Sequence, residues 1–475
     1  MRGSRFTIFV IVVAIILALL YQLGSYNDYR ARLRKGVTLG GVPVGGMLPD
    51  EAIHALESAY YAPLTIRYLD RELTVSPRDL GLRLRSQDMV ATAFEEQGAA
   101  GYWDGLWAHI LDEPGPPADY PLQAGFDEGM VRLWLEQVAE EHDRSLLQPH
   151  PVVETLTYAL GQPESRLDVS ASLPRLMATF TSPADRKVEL IVHTHQPDPP
   201  SIALLEEMVE ARLSEFPGLG GVFIHDLATG ETARSDADVA FAGMSALKIA
   251  IVEEVYRILD DEPDAETARL ISETLTLSGN FTANLLLRII GGGDDSFRGV
   301  QVLTASMRDL GLVNTFMAVP YDVEDVPVHI VTPANSRTDK STEPDPYMQT
   351  TPEDMGLLVA MIYHCAHGGG NLLAAYHDQL RADECQAILD TMAQNKVGSF
   401  LEAGTPAEVP VAHKHGWIGD THADVGIVFS TGGDYIFSVF LYRPGWLEWE
   451  LSSEVMADLA RATYNYFNDK WDNDK

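Results

Sequence analysis

The stretch Gly-Met-Ser-Ala-Leu-Lys-Ile-Ala-Ile at residues 243–251 sets a serine three residues ahead of a lysine, at the start of an apolar run with helical character. On a helix this separation brings Ser245 and Lys248 to one face, about one turn apart. A serine alone is a poor nucleophile, but a lysine that loses its proton in a partly desolvated site can activate it. The stretch therefore predicts a serine nucleophile with a lysine base. The alternative is an ordinary helix N-cap beside a solvated lysine.

Two further motifs follow in order along the chain. Ser-Gly-Asn occupies residues 278–280, and Lys-His-Gly occupies residues 414–416. Ser-x-x-Lys, Ser-x-Asn and Lys-x-Gly in this order are typical of penicillin-recognising serine enzymes. Over about residues 200–470 the chain therefore resembles the class A β-lactamase family. The flanks that add to this resemblance are a first core strand with its turn, the start of a helix and the exit from an omega loop, at residues 222–230, 284–287 and 350–352.

The resemblance implies an α+β fold of the β-lactamase/transpeptidase type, in which an antiparallel sheet is flanked by terminal helices and carries a helical subdomain. The hydrophobic patterns agree with that order of elements. They predict a first helix over 202–216 and a last helix that Ser452 or Ser453 caps and that reaches about Phe467. Between them they predict a helix bearing Lys248 at 246–260, several helices over about 265–395, and strands at 222–227, 231–234, 409–415, 425–430 and 435–442.

The resemblance also implies a role in acyl transfer for each residue of the first two motifs. Ser245 would open a β-lactam or attack a D-Ala–D-Ala-like amide, and Lys248 would take its proton. Ser278 would pass a proton to the leaving nitrogen, and Asn280 would hold the acyl amide of the substrate. No cofactor is implied.

The third motif would bind the other end of the substrate. Lys414 would attract the substrate carboxylate from an edge strand, and Gly416 would let the backbone approach the ligand closely. His415 stands where the family has Thr or Ser, and its imidazole can donate a similar hydrogen bond. The backbone N–H groups of Ser245 and Trp417 would form the oxyanion hole.

Two departures from the family pattern bear on turnover. Gly279 replaces the usual Asp, which predicts a looser loop. No Glu-x-x-Asn occurs between Tyr321 and Thr351, where class A enzymes carry the glutamate that activates the deacylating water. Counting back from the omega-loop exit reaches Asn335, and Glu343 is the glutamate near enough to substitute if the loop is rebuilt. We therefore expect an acyl-enzyme that forms but hydrolyses slowly.

A zinc site is the rival interpretation of the histidines around the last motif. His413 and His415 lie at i and i+2 on one face of the predicted strand, with His422 and Asp424 close by in sequence. This spacing could bind zinc without displacing Lys414 from its role. Scattered histidines near a strand turn are the commoner case, and we expect no metal.

The charge balance and the amino terminus indicate where the protein works. The chain has 69 acidic and 34 basic residues, a net charge of −35, which argues against nucleic acid as a partner because phosphates would be repelled. Residues 6–23 form an uncharged apolar run, which predicts an uncleaved single-pass membrane anchor after a cytoplasmic tail at residues 1–5. Basic residues at 30–35 leave the orientation open by charge alone. The enzyme resemblance favours an extracytoplasmic catalytic domain, because its substrates lie outside the cytoplasm.

Residues 36–196 are predicted to form a separate, non-catalytic α+β region, joined by a stiff Pro-rich linker at 196–200 to the catalytic domain at 201–470. The Gly-rich stretch at 40–46 and the helix that follows resemble a peptidoglycan-binding domain of exported, membrane-anchored bacterial proteins. A second, looser unit of this kind ends in a predicted strand at 187–194. The region would bind the cell wall or act as a spacer, and the sequence favours neither.

The chain has two cysteines, Cys365 and Cys385. They could pair between neighbouring helices of an exported protein, or remain buried free thiols.

The first functional hypothesis is a membrane-anchored serine hydrolase that opens β-lactams through a Ser245 acyl-enzyme. The alternatives are a D-Ala–D-Ala peptidase or transpeptidase, whose partner is the peptidoglycan stem peptide, and a non-catalytic cell-wall-binding module of the same fold.

Overall fold

The computed structural model describes residues 2–99, 101–111, 117–293, 295–323, 329–468 and 471–472, with side chains described from residue 6 to residue 468. The chain forms two compact units. The first unit contains the amino terminus as far as Leu147 together with Gln162–Pro197. The second contains Gln148–Gly161 and the chain from Asp198 onward.

Short strands alternate with helices along the chain as far as residue 197. In chain order these elements are α1 Arg2–Arg30, β1 Thr38–Leu39, β2 Val42–Pro43, α2 Pro49–Tyr60, β3 Leu64–Tyr68, β4 Arg71–Val75, β5 Arg83–Leu84, α3 Ser86–Gly98, α4 Tyr102–Ile110, β6 Asp119–Tyr120, β7 Ala124–Gly125, α5 Glu128–His142, β8 His150–Val152, β9 Thr157–Ala159, β10 Glu164–Leu167, α6 Val169–Ala178, β11 Lys187–Glu189 and β12 Val192–His195.

Helix α1 contains the predicted membrane anchor. Its segment Phe6–Arg30 has 25 residues and contains an 18-residue window that has a mean hydropathy of 2.8 and is wholly unburied. A helix needs about 20 mostly apolar residues to cross a bilayer, so α1 is long and apolar enough to do so. A signal sequence meets the same criterion, and length and composition alone do not separate the two.

The first unit has its own small α+β core. Strand β3 pairs antiparallel with β4. Its alternate residues Leu64, Ile66 and Tyr68 are buried in one cluster with Leu56 and Tyr60 of α2. This period of two is what a strand with one buried face requires.

The single strand predicted at residues 187–194 is wrong. Strand β11 pairs parallel with β3, whereas β12 pairs antiparallel with β10. Between them, the Leu190 N–H donates to Arg67 O and the Ile191 N–H donates to Ser172 Oγ, each at 2.9 Å. The chain leaves one small sheet for another at this point, so an unbroken apolar alternation becomes two strands.

After the Pro-rich linker, the second unit continues with a helix and ends with a helix and a short strand. From residue 198 its elements are α7 Ile202–Ser214, β13 Leu219–Asp226, β14 Thr232–Ser235, β15 Phe241–Ala242, α8 Lys248–Ile258, α9 Ala265–Thr276, α10 Asn280–Ile290, α11 Ser296–Asp309, β16 Phe316–Met317, β17 Met348–Thr350, α12 Pro352–Ala366, α13 Gly370–Ala375, α14 Ala382–Met392, α15 Leu401–Gly404, β18 Val411–Trp417, β19 Thr421–Val428, β20 Tyr435–Tyr442, α16 Trp449–Phe467 and β21 Trp471–Asp472.

A five-stranded sheet in the order β14-β13-β20-β19-β18 lies at the centre of this unit, with every neighbouring pair antiparallel. On central strand β20, Phe437, Val439 and Leu441 pack in one cluster with residues of α7 and α16. Ile436 and Phe440 pack on the opposite face, in a second cluster with residues of α8 and α12. The predicted architecture, an antiparallel sheet between terminal helices and a helical subdomain, is confirmed.

The predicted start of the last helix is wrong. Helix α16 begins at Trp449, and Glu448 is its N-cap residue. Ser452 lies inside the first turns, fully buried, with Oγ 2.6 Å from Nδ1 of His422 on the sheet. Neither Ser452 nor Ser453 caps the helix, because the Ser452 hydroxyl is used across the helix–sheet interface.

The hairpin of β8 and β9 belongs to the second unit, although it lies within residues 36–196 of the sequence. Tyr158 is fully buried, and its hydroxyl donates to Ala462 O of α16 at 3.2 Å. Asn465 Nδ2 of the same helix donates to Leu156 O at 2.7 Å. The second unit therefore needs a segment from upstream of the Pro-rich linker.

The two cysteines form a disulfide that joins α12 to α14. The Cα atoms of Cys365 and Cys385 are 5.8 Å apart, within the usual range for a disulfide. Of the two states that the sequence leaves open, the structure has the paired one.

We expect the double variant Cys365→Ala/Cys385→Ala to unfold with a free energy lower by about 3 kcal/mol, because the disulfide closes a loop whose entropy the reduced unfolded chain regains. Urea unfolding followed by circular dichroism measures the difference. The single variant Cys365→Ala should lose as much stability. A maleimide that labels the denatured, unreduced wild-type protein would show that the thiols are free.

Candidate active site

Ser245 lies in a tight turn that leads into α8. A 3₁₀ turn at Met244–Leu247 precedes the helix, which begins only at Lys248. Met244 has a φ of 47°, a conformation that non-glycine residues rarely adopt. The Tyr321 hydroxyl donates to Met244 O at 2.7 Å and helps to hold this turn. Ser245 is partly accessible, whereas its neighbours on both sides are buried.

Lys248 brings the first two motifs together. Its side chain is fully buried, and Nζ lies 2.9 Å from Ser245 Oγ, 2.7 Å from Asn280 Oδ1, and 2.7 and 3.3 Å from Ser278 O and Oγ. Burial, and then repulsion from Lys414, lower the pKa of Lys248 to about 7, against a smaller opposing effect of Asp322. Lys248 can therefore be an unprotonated amine at neutral pH, in contact with the serine hydroxyl that it would activate.

The loop that carries Ser278 and Asn280 is held by hydrogen bonds. Ser278 has a φ of 57°, and Gly279 is the N-cap residue of α10. The Thr282 hydroxyl donates to Gly279 O at 3.1 Å and accepts from the Thr274 hydroxyl at 2.9 Å. A Cβ at residue 279 would lie 2.5 Å from Thr282 Oγ1. The threonine takes the space that a side chain at residue 279 would need, so the loop is braced differently rather than left loose.

Strand β18 supplies the third motif from the edge of the sheet, as predicted. Lys414 is fully buried, and its Nζ donates to His415 O at 2.8 Å. Burial lowers the pKa of Lys414 to about 8, and the Asp424 carboxylate opposes this effect. Lys414 therefore remains largely cationic at neutral pH.

His415 is a neutral imidazole at neutral pH. Burial, and then the charge of Lys414, lower its pKa to about 4. Asn395 Nδ2 lies 3.3 Å from His415 Nδ1. If the amide donates to Nδ1, the ring proton is on Nε2, which leaves an N–H donor for a ligand.

Gly416 lets β18 approach the serine turn. A Cβ at this residue would lie 3.0 Å from the Ser245 backbone nitrogen and 3.1 Å from Met244 Cβ. A side chain would thus press on the turn that carries the nucleophile. Trp417 follows at the end of the strand, and its side chain is exposed.

The histidines of the rival zinc interpretation have separate partners. His413 Nδ1 lies 2.8 Å from Asp424 Oδ1, and His422 is bonded to Ser452. Burial lowers the pKa of His413, but Asp424 and then Glu402 raise it more, and the net shift is upward. Among the residues described here, no three His, Cys, Asp or Glu side chains are grouped so that they could hold a metal ion.

Asn335 and Glu343, the residues that the missing Glu-x-x-Asn brings into question, have local contacts within their loop. Asn335 Nδ2 donates to Gln349 Oε1 at 2.8 Å and to Ile330 O at 2.9 Å, so its amide is engaged within the loop. Glu343 is exposed, and its backbone N–H donates to Ser341 Oγ.

Sequence reasoning missed Asp322, a carboxylate that does contact the site. Asn280 Nδ2 donates to Asp322 Oδ1 at 3.1 Å, while Asn280 Oδ1 accepts from Lys248. Asp322 has a φ of 57° and directly follows Tyr321, whose ring lies 4.6 Å from Lys248 Nζ. An acidic residue after a buried tyrosine is a weak signal, because nothing in the local pattern predicts the turn that directs it toward Asn280.

Comparison with known proteins adds to this geometry. Residues 259–467 match the family model described as the Beta-lactamase enzyme family. No curated protein matches the chain.

Similar solved structures include penicillin-binding and β-lactamase proteins. PBP-A, as an acyl-enzyme complex with penicillin G, is 20% identical with a TM-score of 0.44, over 57% of this chain and 100% of that chain. A β-lactamase from Desulfarculus baarsii is 18% identical with a TM-score of 0.42, over 56% and 98% of the two chains. A variant of the class A β-lactamase of the last common ancestor of Gram-negative bacteria is 23% identical with a TM-score of 0.42, over 56% and 99%.

The family match includes Ser278, Asn280 and strand β18 but begins after Ser245 and Lys248. The assignment of the nucleophile therefore depends on the contacts of Lys248. Over residues 259–467, the second unit of this chain is similar to the β-lactamase enzyme family.

Proposed function

We propose that the second unit is a serine β-lactamase-like hydrolase that acts on β-lactams through an acyl-enzyme on Ser245. The observation that carries this proposal is the contact of 2.9 Å between the buried Lys248 Nζ and Ser245 Oγ. Burial lowers the pKa of that amine to about 7, so the unprotonated base is available at neutral pH.

In the proposed reaction, neutral Lys248 takes the Ser245 proton as Oγ attacks the lactam carbonyl carbon. The carbonyl oxygen becomes negative and is stabilised by the backbone N–H groups of Ser245 and Trp417. When the carbon–nitrogen bond breaks, Ser278 passes a proton to the leaving nitrogen and recovers one from Lys248. Water then hydrolyses the ester and regenerates the free serine hydroxyl.

Substrate binding is assigned to the remaining motif residues. Asn280, which lies at the start of α10 and beside Lys248, would hold the acyl amide of the substrate. Lys414 would attract the substrate carboxylate, and His415 would donate to it from Nε2 in place of a hydroxyl. Gly416 supports this assignment, since it leaves the space next to the Ser245 backbone clear.

A D-Ala–D-Ala peptidase or transpeptidase is the second candidate. The exposed Glu343 and the engaged amide of Asn335 favour it, as does the sequence between Tyr321 and Thr351, which lacks the Glu-x-x-Asn that class A enzymes use for deacylation. Asp322 contacts the site through Asn280, whose Nδ2 donates to its carboxylate. A non-catalytic cell-wall-binding module of the same fold is the third candidate, and it predicts no covalent adduct.

We further propose that α1 anchors the chain in the cell membrane, with the catalytic unit outside the cytoplasm. Residues 36–196 would then bind the cell wall or act as a spacer. Sedimentation of the detergent-solubilised chain with purified cell walls separates these roles, because only a wall-binding chain would enter the pellet.

Wild-type protein incubated with fluorescent penicillin should acquire a covalent label on a denaturing gel. Ser245→Ala should reduce the labelling rate by at least about 10³-fold, because no other group replaces the nucleophile. The full chain is needed, since a fragment from Ser201 would lack the β8–β9 hairpin. Label that fades within minutes indicates a β-lactamase, and lasting label indicates a peptidase-like protein.

Ser214→Ala is the matched control, because this serine is exposed on α7 of the same unit. It should label at the wild-type rate. Equal labelling of Ser245→Ala and wild type, or no label in any sample, would contradict the proposal.

The acylation rate should follow a bell-shaped pH profile. It should rise as pH increases through about 7, because Lys248 becomes the free base. It should fall as pH passes about 8, because Lys414 loses the charge that attracts the carboxylate. Stopped-flow acylation by a chromogenic cephalosporin measures both limbs.

Asp322→Asn tests whether Lys248 causes the lower limb, which is the rise of the acylation rate on the acidic side of the pH profile. The Asp322 charge raises the pKa of Lys248, so its removal should move the lower limb to more acidic pH. Asp309→Asn, at an exposed position on α11, should leave both limbs unchanged. A rate that begins to rise only above about pH 10, the ordinary lysine pKa, would show that Lys248 is not the base.

A further inference from the structure

We propose that α4 is an interfacial helix, which lies in the headgroup region of the membrane beside the point where α1 leaves the bilayer. The inference rests on the proposed anchoring by α1. It assigns to the first unit a lipid-contact surface formed by Trp103, Trp107 and Leu111.

The outward face of α4 is apolar. Trp103, Trp107 and Leu111 are 67%, 62% and 65% exposed. They recur at a spacing of four residues, which puts them along one side of the helix and its C-cap. Tryptophan at helical spacing with this exposure would be costly in water, and it is typical of surfaces that meet another phase or a partner.

The other face of α4 is fixed to the end of α1. Tyr26 is buried, and its ring lies 5.3 Å from that of Tyr102. His109 Nε2 lies 3.1 Å from Ser25 Oγ. A Cβ at Gly105 would overlap the Tyr26 hydroxyl, so the two helices are in close contact. The position of α4 is therefore set by residues 25–30 of α1.

The length of α1 places this contact at headgroup depth. The apolar run Phe6–Leu23 is about 27 Å long at 1.5 Å per residue, close to the thickness of the hydrocarbon core. Ser25 and Tyr26 follow within about 5 Å, and Tyr29 within about 9 Å, of the end of that run. Headgroup regions are about 5–8 Å deep on each side, and tryptophan and tyrosine concentrate there.

The membrane is thus the occupant that the observations favour for this face. The exposed apolar surface of α1 leads directly to α4, and α4 carries one acidic side chain, Asp104, which is exposed. A second copy of the chain would cover the same residues with protein and is treated as an outcome of the test.

The test uses the full chain in vesicles of phosphatidylcholine and phosphatidylglycerol, with or without lipid brominated near the carboxyl end of its acyl chains. Bromine quenches tryptophan only on contact, so the wild-type emission should fall in brominated vesicles. Trp103→Phe/Trp107→Phe should lose most of this lipid-dependent quenching. The exposed positions and the apolar replacement should leave the fold intact, which an unchanged thermal unfolding midpoint would verify.

Trp446→Phe is the matched control, because Trp446 is also exposed, at 61%, but lies in the second unit. It should keep the wild-type quenching. Equal quenching in the double variant and the wild type would overturn the proposal. Emission of Trp103 and Trp107 that neither brominated lipid nor aqueous iodide quenches would also overturn it, because such shielding indicates a protein partner. A chain that fails to float with vesicles would instead overturn the anchor.

Discussion

The site depends on one buried amine. Lys248 has no contact with water, so its polar surroundings must come from the protein, and Ser245, Ser278 and Asn280 provide them. The same exclusion of water lowers its pKa toward neutrality. Two segments distant in sequence thus have to meet around Nζ, and the sheet edge adds a second cation, Lys414, whose charge lowers that pKa further. The burial of Lys248 therefore both requires its polar contacts and lowers its pKa.

A second polar layer lies behind strand β18. Asn395 Nδ2 contacts His413 O at 3.2 Å as well as the His415 ring, and Asp424 joins His413 to the Leu401 N–H. These groups are buried and largely satisfy one another, as buried polar groups must. The histidine cluster that the sequence offers as a metal site is better described as the support of this edge strand and of the His415 ring.

The predictions from sequence succeeded where a local pattern and the tertiary structure agree. Strand β20 was predicted with its observed bounds, Tyr435–Tyr442, because both faces are buried and the run is apolar apart from Ser438. Lys248 and Ser245 are in contact, as their separation of three residues predicts. The errors concern side chains with distant partners: Ser452 serves His422 rather than a helix cap, and residues 187–194 divide between two sheets. Asp322 was missed because its contact with Asn280 depends on a turn that no periodicity encodes.

The hairpin at residues 148–161 affects how the chain folds during its synthesis. Its tyrosine, Tyr158, bonds to Ala462, which is 304 residues later in the sequence. During synthesis this hairpin emerges long before α16 exists, so its apolar side has no place to dock until translation is almost complete. A chain that lacks its last helix would keep both the serine and the lysine and still leave an aromatic strand exposed, which makes premature termination a hazard for aggregation as well as for activity.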